Sequence, residues 1–197
     1  SALAHLTAKE KLPLGLPFDV ARNTVSCILE KSKMKSLLLE RKRMPVPSAT
    51  FEGDELIVVL MIGEAARADH LEINGYPKPT TPLLSRAGVV SFEKVTSCGT
   101  LTEVSVPCMI TAATADDPQD SFRKPSLMGV FKSAGFPTAW ISNQRLLGTH
   151  DTGVSALAKE ADSVRYTNPE SHNIFSKVLD EDLLPLMDDF LLQNPKK

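Results

Sequence analysis

Leu56-Ile57-Val58-Val59-Leu60-Met61-Ile62, followed at once by Gly63-Glu64, is the stretch whose reading decides the fold. Seven consecutive apolar residues, rich in β-branched types, predict a short strand buried on both faces, as in a parallel sheet. Ala65-Ala66-Arg67-Ala68 then turns helical, so Glu64 stands at the carboxyl end of that strand. In open α/β sheets, sites collect at the carboxyl ends of strands. Glu64 is therefore a candidate ligand or base, against the plainer reading of a first-turn helix acid.

Downstream the same alternation continues. Asn74-Gly75-Tyr76-Pro77-Lys78-Pro79 is a turn-rich loop, and Thr80-Thr81-Pro82 opens a helix with proline at an early position. Val89-Val90-Ser91-Phe92 is a second short strand candidate. A helix is predicted from about Thr102 through Ile110 towards Thr114, despite Pro107. A hydroxyl in the first turn of such a helix is either an ordinary cap or a nucleophile, with backbone N–H groups facing an anionic phosphoryl group. Ser126 to Ala134 reads as a helix stopped by Gly135, Phe136 to Ile141 as a strand, and Asp151 to Glu160 as a helix. Ser163 to Tyr166 reads as a strand and Asn173 to Leu192 as a helix. This order predicts an α/β fold, a parallel sheet with helices on both faces. Ser142-Asn143-Gln144 would stand at the carboxyl end of the Phe136–Ile141 strand, facing the same cleft as Glu64.

Upstream, Phe18 to Arg43 lacks both Gly and Pro and predicts a helix, with Asp19 at its start and Arg41-Lys42-Arg43 at its end. Val20, Val25, Ile28, Leu29 and Leu37 to Leu39 give a ragged apolar stripe. Its basic residues suit a solvated face or an anionic membrane surface. Met44-Pro45-Val46-Pro47-Ser48 is the linker, dividing a helical appendage, residues 1–50, from the rest, residues 51–197.

Composition narrows the class. The chain has 197 residues, 22 Lys+Arg and 24 Asp+Glu, a formal charge of −2, with 42% hydrophobic and 23% charged residues. That balance suits a globular chain with its own core and argues against a general nucleic-acid binder. No run approaches the ~20 apolar residues of a membrane span, and the start, Ser1-Ala2-Leu3-Ala4-His5, lacks the pattern of a signal peptide. Three cysteines, Cys27, Cys98 and Cys108, are too few for a disulfide scaffold. They read either as buried thiols or as a local Cys98–Cys108 bridge. P-loop, dinucleotide glycine, HExxH and G-x-S-x-G motifs do not occur.

The run Val58-Val59-Leu60-Met61-Ile62-Gly63-Glu64-Ala65-Ala66-Arg67-Ala68-Asp69-His70, continued by Asn74-Gly75-Tyr76, resembles the opening signature of the catalytic domain of bacterial phosphoethanolamine transferases. These are the lipid A and lipooligosaccharide modifying enzymes that include the mobile colistin-resistance proteins. Thr96-Ser97-Cys98-Gly99-Thr100-Leu101-Thr102-Glu103-Val104-Ser105-Val106-Pro107-Cys108-Met109 is similar to the family's nucleophile motif. The resemblance is strongest over residues 56–110 and weaker through Trp140 to Gln144 and the helix near 174–192. It implies an alkaline-phosphatase-like α/β/α sandwich, of which residues 51–197 would be the first part. Residues 1–50 would be a membrane-proximal connector.

The resemblance also implies roles. Thr102 becomes the nucleophile and a zinc ligand, Glu64 a second zinc ligand beside it, and Cys98 and Cys108 a disulfide, with Cys27 left free. Asn143 and Gln144 become candidate phosphate contacts, while Asp69-His70 is structural. Thr102 would attack phosphatidylethanolamine and pass phosphoethanolamine to lipid A or another envelope glycan, with zinc lowering the hydroxyl pKa. The setting implied is the periplasmic side of the inner membrane, reached through a transmembrane region that these residues do not include.

Two departures bear on activity. The family's later ligands come from Asp-His-Gly-Glu and His-Gly, and neither Asp-His-Gly nor His-Gly occurs. His5, His70, His150 and His172 match none of those positions. The chain alone is therefore expected to be inactive or nearly so. The alternative is a metal-free relative serving as a binding or scaffold domain in envelope assembly. A sulfatase proper would need a C/S-x-P-x-R run, and none occurs.

Overall fold

A computed structural model describes residues 16–41, 44–53, 55–63, 66–92, 94–144, 153–167 and 179–194. The chain divides into two compact units, with the boundary between Arg43 and Met44.

The first unit carries one helix, α1, Leu16–Arg41. It runs unbroken because Gly and interior Pro are absent, and its ends match the helix dipole, with Asp19 in the first turn and Arg41 in the last. Arg22 pairs with Asp19 at 2.6 Å. Val20, Val25, Ile28, Leu29 and Leu39 are exposed. Cys27 is exposed and unbridged. No helix among the described residues is long and apolar enough to cross a membrane.

In the second unit, α2 (Pro82–Arg86) starts with Pro82 in the first turn after the N-cap Thr81, as expected. Next come α3 (Thr102–Met109), a 3-10 segment (Pro118–Arg123) and α4 (Leu127–Ser133). The Ser126 hydroxyl caps α4 by accepting from the Gly129 N–H at 3.1 Å. Gly135 ends it with φ 85°, a left-handed value that glycine takes without Cβ strain. Strand β1 (Ala139–Ser142), helix α5 (Gly153–Ala158), strand β2 (Ser163–Tyr166) and helix α6 (Leu184–Gln193) complete it. Strands β1 and β2 are parallel, in register Ala139 with Ser163 through Ser142 with Tyr166. The fold is thus mixed α/β with a parallel pair, as the alternation predicted.

The core lies where α3, the Pro118–Arg123 segment and α5 meet. Val106, Cys108, Ile110, Phe122, Leu157, Ala158 and Ala161 are buried there. Beneath the sheet edge, Asp162 ties the two strand starts together. Its carboxylate accepts from the Thr138 N–H at 3.0 Å and hydroxyl at 2.9 Å, and from Lys132 at 2.8 Å. Partial burial opposes the charge of Asp162, but the hydrogen bonds from Lys132 and Thr138 outweigh it and lower the pKa below 3.8. A depressed carboxylate stabilises above its unfolded value and loses that contribution as pH falls through its folded one. We therefore expect Asp162→Asn to lower the melting temperature by a constant amount at neutral pH. That gap should shrink as the pH drops below 3.8. Melting curves of both proteins over an acid series check this.

Several expectations are corrected. Leu56–Ile62 is not a strand, and its side chains from Leu56 to Met61 lie exposed, Met61 by 84%. Val89–Phe92 is likewise unpaired, with Val90 79% and Phe92 76% exposed. A strand exists only through its ladder, and among the described residues β1 and β2 pair only with each other. The Thr102 helix stops at Met109 rather than running towards Thr114, where Pro107 has already removed one ladder donor. Where Ala65 to Ala68 is expected to turn helical, Ala66 and Arg67 are not helical and a 3-10 turn covers Ala68–His70; Ala65 lies outside the described residues. The predicted Asn173–Leu192 helix is α6 from Leu184, preceded by a 3-10 turn, Asp180–Leu183; residues 173–178 lie outside the described residues.

Candidate functional site

Thr102 is the first residue of α3, after Leu101 in extended conformation. The Val104 and Ser105 N–H groups both reach back to the Leu101 carbonyl at 2.9 Å. The helix thus begins abruptly, and its positive dipole end lies at Thr102 and the first-turn acid Glu103. Thr102 is exposed.

The loop before it is fastened at three points. The Ser97 hydroxyl donates to the Gly99 carbonyl at 2.7 Å and accepts from the Gly99 N–H at 3.3 Å. Gly99 packs so close to α3 that a Cβ there would lie 2.9 Å from Val104 Cγ1. Cys98 and Cys108 are joined, S–S 1.95 Å, with Cα atoms 6.3 Å apart. The bond bridges the loop to the buried last turn of α3, so it closes a ring around Thr102.

Glu64 lies outside the described residues, and so does its distance from Thr102. Asn143 and Gln144 follow the carboxyl end of β1. Asn143 donates from Nδ2 to Asp180 Oδ1 at 2.6 Å, and the Gln144 N–H donates to the Ser142 hydroxyl at 3.0 Å. Asn143 therefore spends an amide donor joining the sheet edge to the turn that precedes α6. Sequence reading missed Asp180, because 37 residues separate the pair. Asp69 and His70 behave as local structure: Asp69 pairs with Arg67 at 2.6 Å and with His70 Nδ1 at 3.0 Å. The Arg67 hydrogen bond holds the Asp69 carboxyl well below the usual carboxylate range. Among the described residues no group of three or more His, Cys, Asp or Glu could hold a metal ion.

A parallel strand pair and a helix-start threonine behind a disulfide define an α/β domain with a candidate nucleophile. Residues 57–197 match the family profile described as Sulfatase, and the chain belongs to that family. Curated proteins that it resembles carry the name phosphoethanolamine or phosphatidylethanolamine transferase. Over 149 residues it is 32% identical to the Escherichia coli phosphatidylethanolamine transferase Mcr-1, covering 72% of this chain and 27% of that protein. Over 151 residues it is 31% identical to the Salmonella typhimurium phosphoethanolamine transferase CptA, covering 72% and 26%. The fold matches the crystal structure of the C-terminal periplasmic domain of EcEptC from Escherichia coli in complex with Zn. The TM-score is 0.59 at 25% identity, covering 66% of this chain and 38% of that one. The chain thus spans about a quarter of the length of these two curated relatives.

Proposed function

We propose that this chain is the nucleophile-bearing part of a phosphoethanolamine transferase acting at the periplasmic face of the bacterial inner membrane. The donor is phosphatidylethanolamine, and the acceptor is lipid A or another envelope glycan. The observation that carries the reading is the placement of Thr102 as first residue of α3, behind a loop locked by Cys98–Cys108. Membership of the family and the names of the relatives support it.

In this reading the Thr102 hydroxyl oxygen attacks phosphorus and the bond to diacylglycerol breaks. The diacylglycerol oxygen takes a proton, leaving phosphoethanolamine esterified to Thr102. An acceptor oxygen then attacks the same phosphorus, the Thr102 oxygen leaves, and the proton that the acceptor gives up restores the Thr102 hydroxyl. The N–H groups and dipole at the start of α3 stabilise the anionic group in both steps. Asn143 and Gln144 are assigned to the phosphate, Asn143 through whichever amide hydrogen Asp180 leaves available.

Zinc is the proposed cofactor, with Glu64 and Thr102 as two of its ligands. Their oxygen donors suit zinc, but two fall short of the three protein ligands of a catalytic site. The described residues add no cluster to complete it, so the reading requires further ligands from other residues. When bound, zinc lowers the pKa of a coordinated hydroxyl and polarises phosphoryl oxygens.

The test is intact and peptide mass spectrometry of the complete enzyme incubated with phosphatidylethanolamine. A phosphoethanolamine adduct on Thr102 is expected. An adduct on Thr100 would show that the nucleophile is misassigned. No adduct and no turnover would favour a scaffold domain.

A further inference from the structure

We propose that Gly153, the first residue of α5, is a positioning residue for Thr102, acting through Phe122 and Pro107. The inference rests on the reading of Thr102 as nucleophile. Helix α3 has only eight residues, and a helix that short is not held by its own hydrogen bonds. Pro107 in its last turn removes a further donor. Its placement is therefore set by what its buried residues, Val106, Pro107 and Cys108, pack against.

That packing has no slack at Gly153. A Cβ added there would lie 2.6 Å from Phe122 Cζ, 2.8 Å from Phe122 Cε1 and 3.8 Å from Pro107 Cγ. Phe122 is 5% exposed and Pro107 fully buried, so the ring edge has no solvent to swing into. Carbon atoms settle near 3.5–4.0 Å, so a methyl group must displace the ring by about 1 Å. A close-packed interior passes such a displacement on rather than absorbing it. The segment that carries Phe122 packs against α3, whose buried last turn lies in the path of that displacement. Thr102 stands five residues up the same helix, about 7–8 Å along its axis. A shift of ~1 Å at a reacting oxygen can cost on the order of a hundredfold in rate.

The experiment measures the rate of Thr102 adduct formation per folded molecule in the complete enzyme, well below each variant's melting temperature. Gly153→Ala is expected to slow it at least about tenfold. Gly153→Ala/Phe122→Leu, which removes Cε1 and Cζ from the ring edge, is expected to recover most of the rate. A purely structural role for Gly153 would lower the melting temperature and leave the rate per folded molecule unchanged. The proposal is overturned if Gly153→Ala forms the adduct at the wild-type rate, or if the double variant is no faster than the single one. Should Gly153→Ala not fold, Gly153→Val/Phe122→Leu takes its place: a rate per folded molecule below that of Gly153→Ala/Phe122→Leu supports the proposal, and an equal rate overturns it. Absence of a Thr102 adduct in the wild-type enzyme would mark failure of the underlying reading, and the proposal falls with it.

Discussion

Thr102→Ala in the complete enzyme is expected to abolish transfer, a loss of at least about a thousandfold, as for removal of other covalent nucleophiles. The fold should survive, because the residue is exposed at the start of α3, away from the buried Val106, Pro107 and Cys108 of its last turn. Thr102→Ser should keep measurable activity, since an oxygen nucleophile stays at the same helix position. Thr100→Ala should be far milder. Thr100 is exposed and stands before the N-cap Leu101, which has no side-chain cap, and even a capping hydroxyl contributes only about 1 kcal/mol. Turnover assays on the three variants, with melting curves to show folding, check the set. Wild-type turnover by Thr102→Ala would remove Thr102 from the chemistry.

Loss of the Cys98–Cys108 bond has the second large expected effect. The bond closes a loop of sequence separation 10, and opening one of that size costs about 2–3 kcal/mol in the chain-entropy model. For a unit of this size that corresponds to a fall in melting temperature of roughly 5–10 °C. Cys98→Ser/Cys108→Ser should show that shift. The same variant should form the Thr102 adduct more slowly, because the loop before α3 then loses its covalent tie to the helix and keeps the close packing of Gly99 on Val104. Thiol titration of the wild-type chain in denaturant without reductant should find one reactive thiol, that of Cys27. Three reactive thiols, or a double-serine variant as stable as wild type, would contradict the prediction.

Much of the second unit was legible from local chemistry. The Ser126 cap, the Gly135 stop and the intervening apolar residues announce α4 at nearly its observed bounds. Ser163–Tyr166 is the strand that its β-branched and aromatic content suggests. Thr102 opens a helix as read, with an N-terminus set by the loop before it. These features depend on residues within a few positions of one another, and a linear string contains all of that information.

What the sequence determined by itself is therefore the order and type of most elements, the family motifs, and the candidates Glu64, Thr102, Cys98 and Cys108. Only the tertiary structure decided which apolar runs are covered. Leu56–Ile62 carries every mark of a buried strand, yet it is unpaired among the described residues and exposed from Leu56 to Met61, whereas the shorter Ala139–Ser142 finds Ser163–Tyr166 and pairs. Tertiary structure also decided that Asn143 meets Asp180 and that Gly153 abuts the ring of Phe122. The physical reason is range. Capping and propensity act within a turn of chain, while ladder pairing, burial and close packing join residues tens of positions apart, whose meeting depends on the fold as a whole.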